Sequence, residues 1–389
     1  MTLSDLAVRS AAARAEARID LAAVRDNVTE LRRRASGSAE VMAVVKADGY
    51  GHGLVPCARA ALAGGATWLG VALFEEAVAL RRAGVGGRIL AWLAIPGDLR
   101  LPEAIAADVD VSVNSLWALE DVAAAAGAAG RPARVHLKAD TGLGRNGAAV
   151  ADWPDLVSAA MREQADGRVD VVGVWSHFAY ADAPGHPTLA MQAEQFRDAV
   201  DVAERAGARL EVRHLANSAA VLTSPDLHFD LVRPGIAVYG LSPVPQEGSA
   251  ADFGLRPVMT LVARLALVKR LPAGHGVSYG HEYVTQRETT VGLVPLGYAD
   301  GIPRHASSAG PLLAAGGQRR IAGRVCMDQF VVDLGDDDAR AGDEVVLFGP
   351  GDGGEPTAQD WADAAGTISY EIVTRVGPRV ARTYTGGDA

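Results

Sequence analysis

One lysine, at the end of the run Val41-Met-Ala-Val-Val-Lys46-Ala-Asp-Gly-Tyr50-Gly-His-Gly53, closes a fully apolar strand and opens into a glycine-punctuated turn. An amine held against apolar neighbours loses part of its hydration, which disfavours its charged form and leaves a nucleophile able to form a Schiff base with a carbonyl cofactor. Pyridoxal phosphate is the commonest cofactor of that kind. The plain alternative for Lys46 is a side chain that reaches past the strand end into water. Other polar residues fall in comparable places: Lys138 and Asp140 end one apolar run, His177 another, and Asn217 and Ser218 a third, while Arg233 sits just before Pro234-Gly235.

These positions depend on the elements that carry them. Eight strand-like runs occur in order: VMAVVK from 41, TWLGVA from 67, RILAWLAI from 88, VDVSVN from 109, ARVHLKAD from 133, VDVVGVWSH from 169, LEVRHLAN from 210 and LVRPGIAVYG from 231. Helical periodicity starts with the amphipathic IDLAAVRDNVTELRRRA and continues in FEEAVALRRAG, SLWALEDVAAAAGAAG and LAMQAEQFRDAVDVAERAG, the last three closed by glycine. Strands alternating with helices over about 250 residues are the signature of a (β/α)8 TIM-type barrel, whose active site is built at the carboxyl ends of the strands. The polar residues crowd those ends. After the loop SPVPQEGSAADFG the texture turns to strands with few helical windows, in VMTLVARLALVKRL, TTVGLVPLGYADG, RRIAGRVCMDQFVVDL and EVVLFGP. The expected α/β organisation is a barrel over residues 1–250 and a mostly β domain over 251–389.

Composition narrows the functional class. Of 389 residues, 49% are hydrophobic and 22% charged, and the formal charge of −10 comes without a basic block, which speaks against nucleic acid or an anionic membrane as partner. Cys57 and Cys326 are the two cysteines, far apart and without metal-ligand spacing, so neither a metal site nor a disulfide framework is expected and a reducing compartment is. The stretch MTLSDLAVRSAAARAEARID lacks the apolar core of a signal peptide, and no uninterrupted membrane span follows. The expectation is a soluble, cytoplasmic protein with a small-molecule substrate.

The motifs VVKADGYGHG, LKADTGLGRNG, WSHFA, HLANSAA, RPGIAVYG, GVSYGHEY, PLGYADG, GRVCMDQ and ISYEIVTRVG, in this order over nearly the whole chain, resemble alanine racemases. The resemblance implies a pyridoxal 5'-phosphate enzyme in which Lys46 carries the cofactor as a Schiff base and serves as one of two proton-transfer bases. Tyr279 matches the second base. Two bases suit the reaction, because inverting a stereocentre through a planar carbanion takes a proton from one side and delivers it to the other.

By the same resemblance Arg233 faces the cofactor's pyridine nitrogen. An arginine only donates there, which discourages ring protonation, weakens the electron sink and favours racemisation over transamination. Arg145 matches the arginine that contacts the phenolic oxygen and orients the substrate carboxylate, and Lys138 a lysine that carbon dioxide carbamylates in many members. Tyr50, Ser218, Tyr370 and the amides of Gly235 and Ile236 are expected at the phosphate. His177 is expected beside the ring, with Asn217 next to it. Met327 and Asp328 would line the substrate end, and Tyr279 with them would reach the cofactor of the other subunit in a homodimer with shared sites. The implied substrate is alanine, the role D-alanine supply for cell-wall peptidoglycan. Three alternatives stand: a racemase of broader small amino acids such as serine, a non-catalytic pyridoxal-phosphate homeostasis protein, and a barrel decarboxylase. The C-terminal domain with Tyr279 disfavours the second and Arg233 the third.

Overall fold

The computed structural model describes residues 13–387, and the chain divides into two compact units. Residues 1–12, which begin the stretch read for a leader, lie outside the described residues. One unit comprises residues 24–49 and 54–255, the other residues up to 23, 50–53 and 256 onward.

The first unit is a parallel barrel. Its strands are β2 (Glu40–Val44), β3 (Trp68–Val71), β4 (Arg88–Ala91), β5 (Asp110–Val113), β6 (Ala133–Lys138), β7 (Val169–Trp175), β8 (Val212–His214) and β9 (Leu231–Val232), in the order β8-β7-β6-β5-β4-β3-β2-β9. The ring closes where Asp230 N donates to Arg213 O at 3.0 Å, Arg233 N donates to Ala216 O at 2.9 Å, and Asn217 bridges Arg233. Strands covered on both faces can lose their polar alternation, as β3 does; β5 is also buried along its whole length but keeps Asp110 and Ser112 among its valines. Met42, Trp68, Leu90, Val212 and Leu231 form one core cluster inside the ring, with Trp92 packed against it. The helix Leu116–Ala129 ends at Gly130, whose φ of 70° is the left-handed cap that glycine adopts without steric cost.

The second unit is mostly β. A six-stranded sheet runs Gly317–Arg320, Pro311–Ala314, Glu344–Phe348, β10 (Met259–Arg264), β1 (Ala15–Asp20) and Ala381–Thr385, and a three-stranded sheet joins Leu267–Leu271, Thr289–Val294 and Phe330–Gly335. Strand β1 is the addition that periodicity did not reveal: it pairs antiparallel with β10 and parallel with Ala381–Thr385. Ile19 and Asp20 therefore end a strand, and the helix begins at Leu21 with Asp20 Oδ1 accepting from Ala22 and Ala23 amides.

Two expected strands are broken in the structure. VMTLVARLALVKRL divides at Leu265-Ala266, its halves pairing in different sheets. RRIAGRVCMDQFVVDL is interrupted over 321–329, where Gly323 takes a φ of 81° with its α-carbon too close to Val277 O for any side chain. That interruption carries Met327 and Asp328.

Ala17 is fully buried in β1, between β10 and the edge strand Ala381–Thr385. Ala17→Asp would bury a carboxylate with no partner between two strands, and is expected to cost the β unit about 3 kcal/mol or more. Denaturant unfolding followed by near-ultraviolet circular dichroism measures it.

Candidate active site

Lys46 follows β2 directly, and the backbone after it turns the wrong way for an L-polypeptide. Ala47, Asp48 and Gly49 have φ/ψ near 53/51°, 54/48° and 61/45°, and Tyr50 has a φ of 52°. Left-handed geometry costs each non-glycine residue roughly 1–2 kcal/mol, so three of these four residues hold strain. The turn is fastened in the barrel unit by Ala47 N donating to Glu76 Oε1 at 2.6 Å, Leu54 N to Asp48 Oδ1 at 2.8 Å and Gly49 N to Val45 O at 2.8 Å. Glu76 is itself held by the amides of Ala72 and Leu73. The Lys46 ammonium lies 5.8 Å from the Trp92 ring centroid. Burial, reinforced by Arg145, lowers its pKa, with Glu76 opposing.

Lys138, the last residue of β6, is buried against Trp175, its Nζ 4.2 Å from the ring centroid. Burial together with Arg233 and Arg145 brings the Lys138 amine down to about 7. Arg233 lies 4.8 Å from the same ring and is also buried. It donates to Ser176 O at 2.7 Å and Leu215 O at 3.2 Å, and meets His214 Nδ1 at 3.1 Å and His177 Nδ1 at 3.3 Å. None of these partners is a carboxylate, and desolvation lowers the guanidinium to about 9, still fully charged at neutral pH. His177 is half-buried, and desolvation together with Arg233, Arg145, Lys138 and Lys46 holds it neutral, well below the usual imidazole range.

Arg145 is exposed on a loop that Asp140 shapes, its Oδ1 accepting from the amides of Gly142, Leu143 and Gly144 at 3.0–3.1 Å. Gly147 brings the loop back onto the strand end, where a Cβ would meet Asp140 N at 2.6 Å. Asn217 caps the helix Ser218–Thr223 by accepting from Ala220 N at 3.2 Å. Ser218 Oγ accepts from Gly235 N at 2.7 Å and Ala237 N at 3.3 Å, which leaves its own proton to donate. The Gly235 amide is thus turned to Ser218, beside the Ile236 amide.

The remaining expected residues lie in the β unit. Tyr50 is buried with its ring centroid 6.3 Å from that of Tyr370, and burial raises its phenol well above the usual range. Tyr279 stands 71% exposed on a turn in which Ser278, Gly280 and His281 all have positive φ. Ser278 Oγ donates to Arg324 O at 2.8 Å, which ties that turn to the segment bearing Met327 and Asp328. Asp328 pairs with Arg379 at 2.7 Å, and Arg379 also reaches the fully buried Asp300 at 3.2 Å. Asp300 accepts from Gly297 N at 3.0 Å, and the Tyr298 and Ala299 amides donate to the carbonyls of Cys326 and Met327. A Cβ on Gly297 would meet both carbonyls at 2.3 Å. Among the described residues no cluster of His, Cys, Asp and Glu is arranged for a metal ion, and no helix is long and apolar enough to cross a membrane.

Residues 19–243 match the family profile for the alanine racemase N-terminal domain, and residues 258–384 that for its C-terminal domain. The chain belongs to the alanine racemase family. It is 65% identical to the alanine racemase of Frankia casuarinae over 94% of this chain and 95% of that one, and 64% identical to that of Streptomyces coelicolor over 95% and 96%. The solved alanine racemase of Streptomyces coelicolor A3(2) superposes with a TM-score of 0.95 at 63% identity, covering 97% of this chain and 100% of that one. That from a D-cycloserine-producing Streptomyces lavendulae gives 0.95 at 62% identity, covering 96% and 97%. Alanine racemases depend on pyridoxal phosphate.

Sequence reasoning missed Trp175, the ring that carries both Lys138 and Arg233, although it opens the motif WSHFA. It also missed His136 and His214, buried inside β6 and β8. The available signal was a histidine beside apolar neighbours in each run, between Val135 and Leu137 in one and before Leu215 in the other.

The Lys138 amine generates a pH dependence. Between about 7, its folded value, and 10.5, its ordinary one, the unfolded chain holds a proton that the folded chain lacks, so unfolding takes up a proton and stability rises with pH. In carbon-dioxide-free buffer, the cofactor-free wild type should therefore gain on Lys138→Met by up to about 1.4 kcal/mol per pH unit through that window. Urea midpoints of both proteins across pH measure the slope.

Proposed function

We propose that this chain interconverts L-alanine and D-alanine with pyridoxal 5'-phosphate, using Lys46 and Tyr279 as bases on opposite faces of the substrate, and works in the cytoplasm as a homodimer that supplies D-alanine for peptidoglycan. The observation that carries the reading is the excess of positive charge at the barrel rim. Lys138 and Arg233 are buried there and Lys46 is half-buried, with Arg145 near enough to act on both lysines, and Arg233 hydrogen-bonds to carbonyls and imidazoles rather than to a carboxylate. Desolvated like charges are tolerated where a ligand brings the missing anions. A phosphate and an amino-acid carboxylate fit that need.

Ser218, Tyr50, Tyr370 and the amides of Gly235 and Ile236 would hold the phosphate. Arg233 would donate to the ring nitrogen, and His177, neutral beside Arg233, would flank the ring with Asn217 behind it. When bound, the cofactor supplies an electron sink conjugated to the substrate's α-carbon. The chain's own groups do the rest. Arg145 orients the substrate carboxylate. The Lys46 amine, lowered by burial, takes or returns a proton on one side, and the phenol of Tyr279 of the partner subunit does so on the other. Met327 and Asp328, fixed through Arg379 and Asp300, limit the room at the substrate's side chain.

A coupled D-amino-acid assay with L-alanine is expected to show D-alanine forming with the wild type. Tyr279→Phe should lower that rate by roughly 10²- to 10⁴-fold while keeping the cofactor's absorbance. A variant that racemises at the wild-type rate would remove Tyr279 from the mechanism.

Lys138 is read as the lysine that takes up carbon dioxide. An amine near 7 is partly neutral in the cell and can attack carbon dioxide, giving a carbamate and a released proton; the new anion would sit against Arg145. Native mass spectrometry in bicarbonate buffer should show the increment of one carbon dioxide in the wild type and none in Lys138→Met. An unmodified wild-type mass would rule it out.

A further inference from the structure

A chain of buried polar groups crosses the barrel where branched aliphatic side chains normally fill the interior. At its upper end Arg233 Nη1 meets His214 Nδ1 at 3.1 Å; His214 Nε2 meets His136 Nδ1 at 2.9 Å; His136 Nε2 meets Asp110 Oδ2 at 3.1 Å. None of the four is more than 5% exposed. Asp110 opens β5 at the amino end of the barrel, and Arg233 follows β9 at the carboxyl end, so the chain joins the two mouths.

The donors and acceptors have a single consistent assignment. A guanidinium only donates, so His214 Nδ1 must accept and His214 carries its proton on Nε2. That proton points at His136 Nδ1, which must accept in turn, and His136 then donates from Nε2 to the Asp110 carboxylate. Protonating either imidazole would set two N–H groups against each other. At the lower end Arg88 and Arg134 donate to Asp110 at 2.8 and 3.2 Å and both pair with Glu211. Two cations and two carboxylates balance there. What crosses the barrel is direction rather than net charge: every N–H points away from Arg233.

The surroundings are built to keep the imidazoles in place. His214 stacks on Trp175 at 5.6 Å with an interplanar angle of 4°, and the edge of Trp68 meets His136 at 5.5 Å. The register of β6 against β7 shifts between Val135 and His136. Opposite His136 stands Gly173, where a Cβ would lie 2.4 Å from His136 Nδ1. Strand pairing and a dedicated glycine both make room for that ring.

We propose that Asp110, His136 and His214 are positioning residues for the reaction: a relay of fixed polarity that anchors the Arg233 guanidinium in one orientation facing the cofactor's ring nitrogen. The inference rests on the proposed racemase function, in which Arg233 meets that nitrogen. With the relay cut, the guanidinium would lose its directional partner, the ring nitrogen would be protonated more often, and a proton delivered to the cofactor's carbon instead of the substrate's α-carbon, followed by hydrolysis, would release pyruvate and leave the amino group on the cofactor.

The test uses the holoenzyme labelled with ¹⁵N-histidine. Both His136 and His214 should show a protonated Nε2 and a bare Nδ1, unchanged through the pH range in which a free imidazole titrates. His136→Leu should lower kcat on the order of tenfold, leave KM for alanine unchanged and raise pyruvate released per racemisation turnover. His136→Gln, which can accept from His214 and donate to Asp110, should restore most of both. Either imidazole in the other tautomer, or His136→Leu matching the wild type, would overturn the relay. So would His136→Gln performing no better than His136→Leu, the pattern of a merely structural residue. A wild type that racemises nothing would instead overturn the functional reading, and the tautomers alone would then decide the relay.

Discussion

Uncompensated positive charge at the carboxyl rim of the barrel is the constraint around which the site is arranged. Lys138 and Arg233 are buried there, Lys46 is half-buried and Arg145 lies exposed beside them, so repulsion within the buried part is several times stronger than in water. The fold holds them with weaker, directional contacts: carbonyls of Ser176 and Leu215 for Arg233, and the faces of Trp175 and Trp92 for Arg233 and the two lysines. Those contacts restrain the cations without neutralising them. The electrostatic debt of the folded chain is thus left to whatever anion binds, and affinity for a doubly anionic ligand is a property of the scaffold.

The β unit uses the opposite strategy. Its buried carboxylate, Asp300, is saturated by Arg14, Arg379 and the Gly297 amide. Through Arg379 it fixes Asp328, and through the Gly297 turn it fixes the carbonyls on either side of Met327. Here charge is balanced internally, and its result is shape: two irregular segments, one bearing Tyr279 and one bearing Met327, are locked to each other.

The barrel was legible because its signal is repeated and local. Eight strand-like runs, several with polar residues at or near their carboxyl ends, announce both the strands and the rim, and Lys46, Lys138 and Arg233 emerge at the ends where they were sought. The β unit was harder to read, because its pairings are distant in sequence. Strand β1 pairs with partners some 245 and 365 positions away, as in Ala15 with Ala263 and Glu16 with Ala381, and no periodicity records such pairings. The break at Leu265-Ala266 was hidden for a related reason: an unbroken apolar run does not show that its two halves belong to different sheets. His136 and His214 were invisible as a pair. Each shares its strand with other polar residues, Arg134 and Lys138 in β6 and Arg213 in β8, and only the barrel's curvature brings the two histidines within hydrogen-bonding distance.

The left-handed turn after Lys46 has a consequence for ligand capture. A lysine on an ordinary flexible loop would have to surrender backbone and side-chain freedom at the moment of association, diluting the free energy of binding. Here the backbone part of that ordering is settled when the chain folds, through Glu76, Asp48 and the Val45 carbonyl. The backbone that carries the amine is preorganised, so a carbonyl compound reaching Lys46 would demand little further ordering of that chain segment.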